Sequence, residues 1–177
     1  MIEGKIIPGV RTNEDLIRAL DSNVKSVFLL NTNIELIVEQ INAAHKAGKK
    51  LFVHIDLTDG IGKDEFGIKY LSDLGADGII STRTNIIKIA KRLGVFAIQR
   101  FFIVDSRSID TTIESVNVSK ADVVEIMPGT ISKVIQKIKN AVEMPIVAGG
   151  IIETKEEVDI AIESGAIAVS TGKKELW

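Results

Sequence analysis

Two short segments near the end of the chain could bind a phosphate group. Gly149-Gly150 follows one apolar run, and Ser170-Thr171-Gly172 follows the next. Glycines let backbone N–H groups approach phosphate oxygens closely, and hydroxyl groups donate further hydrogen bonds. The pair therefore predicts a phosphate cradle formed by Gly149, Gly150, Ser170 and Thr171. The alternative is that these glycines only permit tight turns.

Charged and polar side chains that suit the remainder of such a ligand follow other apolar runs. Three of them are arginines, whose charge persists at every physiological pH: Arg11, Arg83 and Arg100. Three more could contact ligand hydroxyls: His54, Asp56 and Glu125. The competing interpretation is structural, since each arginine could pair with a nearby carboxylate and His54 could be a hydrogen-bonded core residue.

The apolar runs that precede these residues have the length of β-strands and start about 17 to 28 residues apart, the length of one βα unit. They are apolar throughout rather than alternating, as expected for parallel strands covered on both faces. The predicted strands are Ile6–Val10, Ser26–Asn31, Leu51–Leu57, Gly78–Thr82, Val95–Arg100, Val123–Pro128, Pro145–Gly149 and Ala166–Thr171.

Between the strands, apolar residues recur with the helical period of 3.6 residues. The clearest stripe comprises Ile131, Val134, Ile135, Ile138 and Val142, and another comprises Ile34, Ile37, Val38, Ile41 and Ala44. Three polar residues are placed to cap helix starts: Asn33, Thr130 and Thr154. Glu157 lies three residues after Thr154, so the two predict a capping box.

Eight strands separated by helices predict one α/β domain over residues 1–177, a TIM-type (β/α) barrel. Only Lys173–Trp177 follow the eighth strand, so the last helix is missing. A seven-stranded incomplete barrel and an open doubly wound sheet are the alternatives, because such barrels usually exceed about 200 residues. The polar clusters all follow carboxyl ends of strands, where β/α barrels place their ligand sites.

Composition excludes several other classes of protein. The chain has no cysteine, and its two histidines have no regular spacing to carboxylates, so we expect no metal. It has neither a dinucleotide-binding fingerprint nor a P-loop, so we expect no cofactor. No apolar run approaches the roughly 18 residues of a membrane span, which predicts a cytoplasmic protein. The net charge of -2 disfavours extensive contact with a nucleic-acid backbone.

Several motifs together resemble the glycerol uptake operon antiterminators, which respond to glycerol 3-phosphate. The motifs are Pro8-Gly9-Val10-Arg11, Phe52-Val53-His54-Ile55-Asp56-Leu57, Ile80-Ser81-Thr82-Arg83, Ala97-Ile98-Gln99-Arg100, Glu125-Ile126-Met127-Pro128-Gly129, Val147-Ala148-Gly149-Gly150 and Leu176-Trp177. The resemblance implies a regulator that binds glycerol 3-phosphate or a similar phosphate ester and acts on leader mRNA to prevent premature termination. It adds Gln99 to the pocket residues Arg11, His54, Asp56, Arg83, Arg100 and Glu125.

Two other functions fit the same residues. The first is a phosphate-ester-binding barrel enzyme of the isomerase, lyase or synthase class, with Asp56 or Glu125 as its base. The second is a phosphate-ester sensor without RNA activity. For the RNA binding that the resemblance implies, cations occur at Lys88-Lys91-Arg92 and Lys133-Lys137-Lys139 on two predicted helices. A homo-oligomer that brought such helix faces together would concentrate their charge.

Overall fold

Eight parallel strands close into a barrel in the structure, a computed structural model that describes residues 1–177. Two further strands, β3 and β5, pair with each other beside the barrel. The strands are β1 (Ile6–Val10), β2 (Ser26–Leu29), β3 (Thr32–Asn33), β4 (Lys50–His54), β5 (Thr58–Asp59), β6 (Gly78–Ser81), β7 (Ala97–Phe102), β8 (Val123–Met127), β9 (Ile146–Gly149) and β10 (Ala168–Thr171). The predicted eight-stranded TIM-type barrel is therefore confirmed.

Seven α-helices surround the barrel. They are α1 (Asn13–Asp21), α2 (Ile37–Lys46), α3 (Glu65–Asp73), α4 (Thr84–Arg92), α5 (Ser106–Ser119), α6 (Ser132–Ala141) and α7 (Lys155–Glu163). After β10 the chain forms only a short 3-10 helix, Lys174–Leu176. The predicted absence of an eighth helix is thus confirmed.

Successive side chains of each strand point to opposite faces of the barrel, so the core has an interior part and a part between the strands and the helices. One residue from each barrel strand enters a single interior cluster: Ile7, Phe28, Phe52, Ile80, Ile98, Val123, Val147 and Ala168. Their strand neighbours, such as Leu29, Val53 and Val124, pack outward with the helices. Side chains two residues further along a strand return to the interior. These form the layer nearest the carboxyl end, which we call the mouth layer: Gly9, Leu30, His54, Arg100, Glu125, Gly149 and Ser170.

Helix starts follow the predictions in part. Thr154 and Glu157 form the expected capping box at the start of α7. Asn33 accepts from two backbone N–H groups, but α2 begins only at Ile37, so Ile34 lies before the helix and is exposed. Thr130 does not cap α6, since the helix begins at Ser132 with no side-chain capping bond.

The third predicted strand is shorter than its apolar run suggests. β4 ends at His54, and Ile55–Leu57 form a 3-10 helix instead of continuing the strand. The Thr58 hydroxyl donates to the carbonyl of His54 at 3.0 Å and closes this turn. The turn moves Asp56 out of the strand and toward the end of β6.

Candidate functional site

A cleft of about 310 Å³ opens at the carboxyl end of the barrel. The loops after β1, β9 and β10 line most of it, and they contribute Arg11, Gly150–Glu153 and Gly172-Lys173. Gly9, Leu30 and Ser170 of the mouth layer also line it, so the floor of the cleft meets the barrel interior. The two glycine-containing segments singled out in the sequence therefore border one cleft.

Several backbone donors in this cleft have no acceptor within the chain. The N–H groups of Gly150, Ile151, Ile152 and Gly172 make no intramolecular hydrogen bond. Gly149 and Ser170 are register partners on β9 and β10, which brings the two loops side by side. All four residues line the cleft, and unpaired backbone N–H groups in a concavity favour the binding of an anion.

The backbone between β9 and α7 adopts an unusual conformation. Gly150 has a φ of 74°, and the next residue, Ile151, has a φ of 59°. For a β-branched residue this left-handed conformation is strained, and such strain clusters at ligand sites. The side chain of Ile151 is 72% exposed, so burial of that side chain does not offset the strain.

Glycine is required at position 149 for a steric reason. A Cβ atom there would lie 2.6 Å from both Glu125 Oε1 and Ser170 Oγ. Both atoms belong to a buried hydrogen-bonded group and have little room to move. Position 172 differs, because a Cβ there would meet nothing closer than the Gly9 carbonyl oxygen at 3.9 Å.

Thr171 connects the two loops instead of facing the cleft with its hydroxyl. Its Oγ1 donates to the carbonyl of Ile152 at 2.6 Å and accepts from the Lys173 N–H at 3.0 Å. Its carbonyl accepts from the indole N–H of Trp177 at 3.0 Å. The sequence predicts that this hydroxyl contacts phosphate, whereas in the structure its hydrogen bonds hold the two loops together.

Arg100, Glu125 and Ser170 form a buried chain of polar groups in the mouth layer. Nε of Arg100 donates to Oε2 of Glu125 at 2.6 Å, and the hydroxyl of Ser170 donates to Oε1 of the same carboxylate. Arg100 is 5% exposed and Glu125 is fully buried. Nη2 of Arg100 has no partner. Three of the predicted pocket residues are thus in direct contact.

His54 lies in the same layer and is 3% exposed. Burial, together with the nearby charge of Arg100, lowers the pKa of His54 from its ordinary value of 6.5 to about 4. The imidazole is therefore neutral at physiological pH. Its Nδ1 has no hydrogen-bond partner.

Asp56 and Arg83 lie at the rim, next to the end of β6. Asp56 accepts from the Ser81 hydroxyl at 2.9 Å and from the Thr82 N–H and hydroxyl at 2.7 and 3.0 Å. Nε of Arg83 lies 3.7 Å from Asp56 Oδ1, and about half of the Arg83 side chain is exposed. The ion-pair alternative foreseen for the arginines therefore applies to Arg83.

Gln99 is not brought together with the other predicted residues. It lies on the same face of β7 as Ala97, which packs outward in the helical core, whereas Arg100 faces inward. Its side-chain amide donates to the hydroxyl of Thr84 at the start of α4 at 3.0 Å. The Gln99 side chain therefore lies outside the barrel, and its hydrogen bond links β7 to α4.

Lys173 and Ile151 are cleft residues that sequence reasoning missed. Lys173 lines the cleft with a partly exposed amine, whereas the sequence placed it only at the start of the short segment after the eighth strand. Ile151 looked like an ordinary apolar residue, and its backbone conformation has no sequence signature. The double glycine before it was the one available signal.

Half of the six cations on the two helix faces pair with carboxylates. Three pairs account for this: Lys91 with Asp122, Arg92 with Glu65, and Lys137 with Asp110. Lys88, Lys133 and Lys139 are in no such pair. None of the helices combines the length and apolar character needed to cross a membrane.

Fold and site together define a TIM-type β/α barrel with a polar, anion-suited cleft at the carboxyl ends of its strands. The sequence profile of one family, described as the glycerol-3-phosphate responsive antiterminator, matches residues 6–177. The chain belongs to this family. Membership confirms the resemblance seen in the sequence and agrees with a regulator rather than an enzyme.

Solved structures and a sequence relative support this assignment. The glycerol uptake operon antiterminator regulatory protein of Listeria monocytogenes superposes with a TM-score of 0.94 at 36% identity, covering 99% of this chain and 95% of that one. An antiterminator-related protein of Thermotoga maritima gives 0.89 at 31% identity, covering 100% and 99%. The uncharacterized protein YgcP of Escherichia coli is 35% identical, covering 99% of this chain and 92% of YgcP.

Proposed function

We propose that this protein senses glycerol 3-phosphate in the cleft and, in the ligand-bound state, acts on leader mRNA as an antiterminator. The observation that carries the proposal is the set of unpaired N–H groups at Gly150, Ile151, Ile152 and Gly172 in one cleft. Membership in the glycerol-3-phosphate responsive family supports the choice of ligand.

The cleft suits one phosphate group bound mainly by backbone. The hydroxyls of Ser170 and Thr171 already donate elsewhere, so the four N–H groups are the natural donors to the phosphate oxygens. Arg11 and Lys173 border the same cleft and supply positive charge. Charge-assisted hydrogen bonds of this kind are about twice as strong as neutral ones.

The same contacts disfavour an enzymatic role. A general base must be free to take a proton from the substrate. Asp56 already accepts three hydrogen bonds, and Glu125 is fully buried with Arg100 and Ser170 on its two oxygens. Both carboxylates therefore accept structural hydrogen bonds at the barrel mouth, and neither is free to act as a base.

RNA binding by a single copy would be weak for electrostatic reasons. Lys and Arg total 22 against 24 Asp and Glu, and the ion pairs on α4 and α6 neutralise much of the local positive charge. Each phosphate that a protein neutralises releases counterions and steepens the salt dependence. We therefore propose that a homo-oligomer, which would combine the unpaired Lys88 and Lys133 of several copies, is the RNA-binding form.

A titration with leader RNA tests this function. The protein is titrated into leader RNA of a glycerol-utilisation transcript, with and without glycerol 3-phosphate, at several salt concentrations. We expect binding that needs the ligand and weakens steeply with salt, and Lys133→Glu should weaken it while leaving ligand affinity unchanged. Tight, salt-insensitive binding without ligand would contradict the proposal, as would ligand binding with no RNA binding under any condition.

A further inference from the structure

We propose that the mouth layer beneath the cleft is a second subsite, in which His54 and Arg100 bind a neutral hydroxyl of the ligand. The inference rests on the proposed phosphate-ester function and specifies the other end of the molecule. It defines the ligand class as a monophosphate ester with an uncharged, hydroxyl-bearing tail.

The position of the two side chains supports this subsite. His54 on β4 and Arg100 on β7 both point into the barrel, two residues beyond interior Phe52 and Ile98. Gly9 and Gly149 occupy the same layer, with Leu30 beside the first and the Glu125 and Ser170 side chains filling the space beside the second. The cleft meets this layer at Gly9, Leu30 and Ser170.

Both side chains present an unused polar atom in this buried place. Nη2 of Arg100 and Nδ1 of His54 have no partner, although the residues are 5% and 3% exposed. Buried polar atoms in native proteins nearly always have a hydrogen-bond partner, so such exceptions point to a missing ligand or a water molecule. The third unpartnered atom, Oε1 of Gln99, lies outside the barrel wall and does not belong to this group.

The chemistry of the two atoms selects a hydroxyl group. The guanidinium N–H can only donate, whereas the neutral imidazole can accept at its unprotonated nitrogen. A hydroxyl accepts from the first and donates to the second. An anion would fit poorly, because Glu125 already compensates the charge of Arg100 and a further negative charge here would be buried without a counterion.

Calorimetric affinities for three phosphate esters test the subsite: glycerol 3-phosphate, n-propyl phosphate and 3-phosphoglycerate. All three esters carry the phosphate. n-Propyl phosphate lacks hydroxyl groups, and 3-phosphoglycerate carries a carboxylate. We expect glycerol 3-phosphate to bind wild type at least about tenfold more tightly than either analogue. In His54→Phe this preference over n-propyl phosphate should fall to about threefold or less, with n-propyl phosphate binding unchanged.

His54→Asn serves as the conservative variant, because its amide places a polar atom near the position of Nδ1, and we expect it to restore part of the preference. Circular dichroism verifies that both variants fold. Equal wild-type affinities for glycerol 3-phosphate and n-propyl phosphate would overturn the subsite and leave the phosphate cleft intact. If both His54 variants kept the wild-type preference for glycerol 3-phosphate over n-propyl phosphate, the subsite would also be overturned, and a water molecule would be the partner of Nδ1. Failure of every ester to bind wild type would overturn the proposed function, and this inference with it.

Discussion

Arg100 and Glu125 form an ion pair inside the barrel, with Nε of Arg100 2.6 Å from Oε2 of Glu125. The two residues are register partners on neighbouring strands β7 and β8. Because almost none of this pair reaches solvent, each charge depends on the other for compensation. The pair also fixes the orientation of the guanidinium, whose Nη2 atom has no partner.

Removing one member of this pair should destabilise the fold strongly. Arg100→Met leaves the Glu125 charge buried and unpaired, for which we expect a loss of about 3–5 kcal/mol in the free energy of unfolding. Arg100→Met combined with Glu125→Gln should recover a large part of that loss. Urea unfolding of the single and double variants measures this coupling, and additive losses would contradict it.

A methyl group at position 149 should disturb both the fold and the ligand site. Gly149→Ala places a Cβ 2.6 Å from Glu125 Oε1 and Ser170 Oγ, and forced overpacking of this kind costs about 1–3 kcal/mol. We expect lower unfolding free energy and weaker glycerol 3-phosphate binding. Gly172→Ala is the matched control in the same cleft, since it keeps the N–H and has open space. Equal effects of the two substitutions would refute the steric explanation.

Relieving the backbone strain at Ile151 should stabilise the protein. A left-handed conformation costs a non-glycine residue about 1–2 kcal/mol, so Ile151→Gly should raise the free energy of unfolding by about 1 kcal/mol. Lys120 has a φ of 55° at the end of α5, before β8, and therefore lies at the opposite end of the barrel. Lys120→Gly should stabilise to a similar extent.

The affinity for the ligand should distinguish Ile151→Gly from Lys120→Gly. Ile151→Gly loosens the loop that presents the N–H groups and should weaken glycerol 3-phosphate binding, whereas Lys120→Gly should leave it unchanged. Thermal unfolding with calorimetric titration of both variants tests this. Undiminished affinity in Ile151→Gly would show that the strained loop has no part in binding.

Acid should destabilise the protein through His54. Its pKa falls from 6.5 to about 4 on folding, so the unfolded chain binds the proton more readily. The stability gained by keeping His54 neutral is complete above about pH 6.5 and is lost as the pH falls toward 4, amounting to about 3 kcal/mol. Urea unfolding between pH 7.5 and 4.5 should show this loss in wild type beyond that in His54→Phe. If the free energies of unfolding of wild type and His54→Phe changed with pH in parallel, this role of His54 would be ruled out.

The barrel itself was predictable from sequence because its determinants are local and repeated. Apolar runs at βα spacing gave all eight barrel strands, and the missing last helix followed from the few residues after β10. The neighbourhood of Gly149 and Ser170 also followed, since consecutive strands of a barrel pair in register.

What the sequence could not provide was the direction of individual side chains. In the run Ala97–Arg100, a shift of one residue exchanges the inner and outer faces, and strands buried on both sides give no polarity signal to fix the choice. The family resemblance placed Gln99 in the pocket with Arg100, although its side chain contacts Thr84 outside the barrel. Likewise, the role of Thr171 in joining two loops depends on the Ile152 carbonyl, 19 residues away in the chain.

The most direct test of the central claim is a crystal structure of the protein with glycerol 3-phosphate. We expect the phosphate within hydrogen-bond distance of the backbone nitrogens of Gly150 and Gly172, with the glycerol hydroxyls directed toward His54 and Arg100. A phosphate bound at the exposed Arg83, or an empty cleft at saturating ligand concentration, would contradict it.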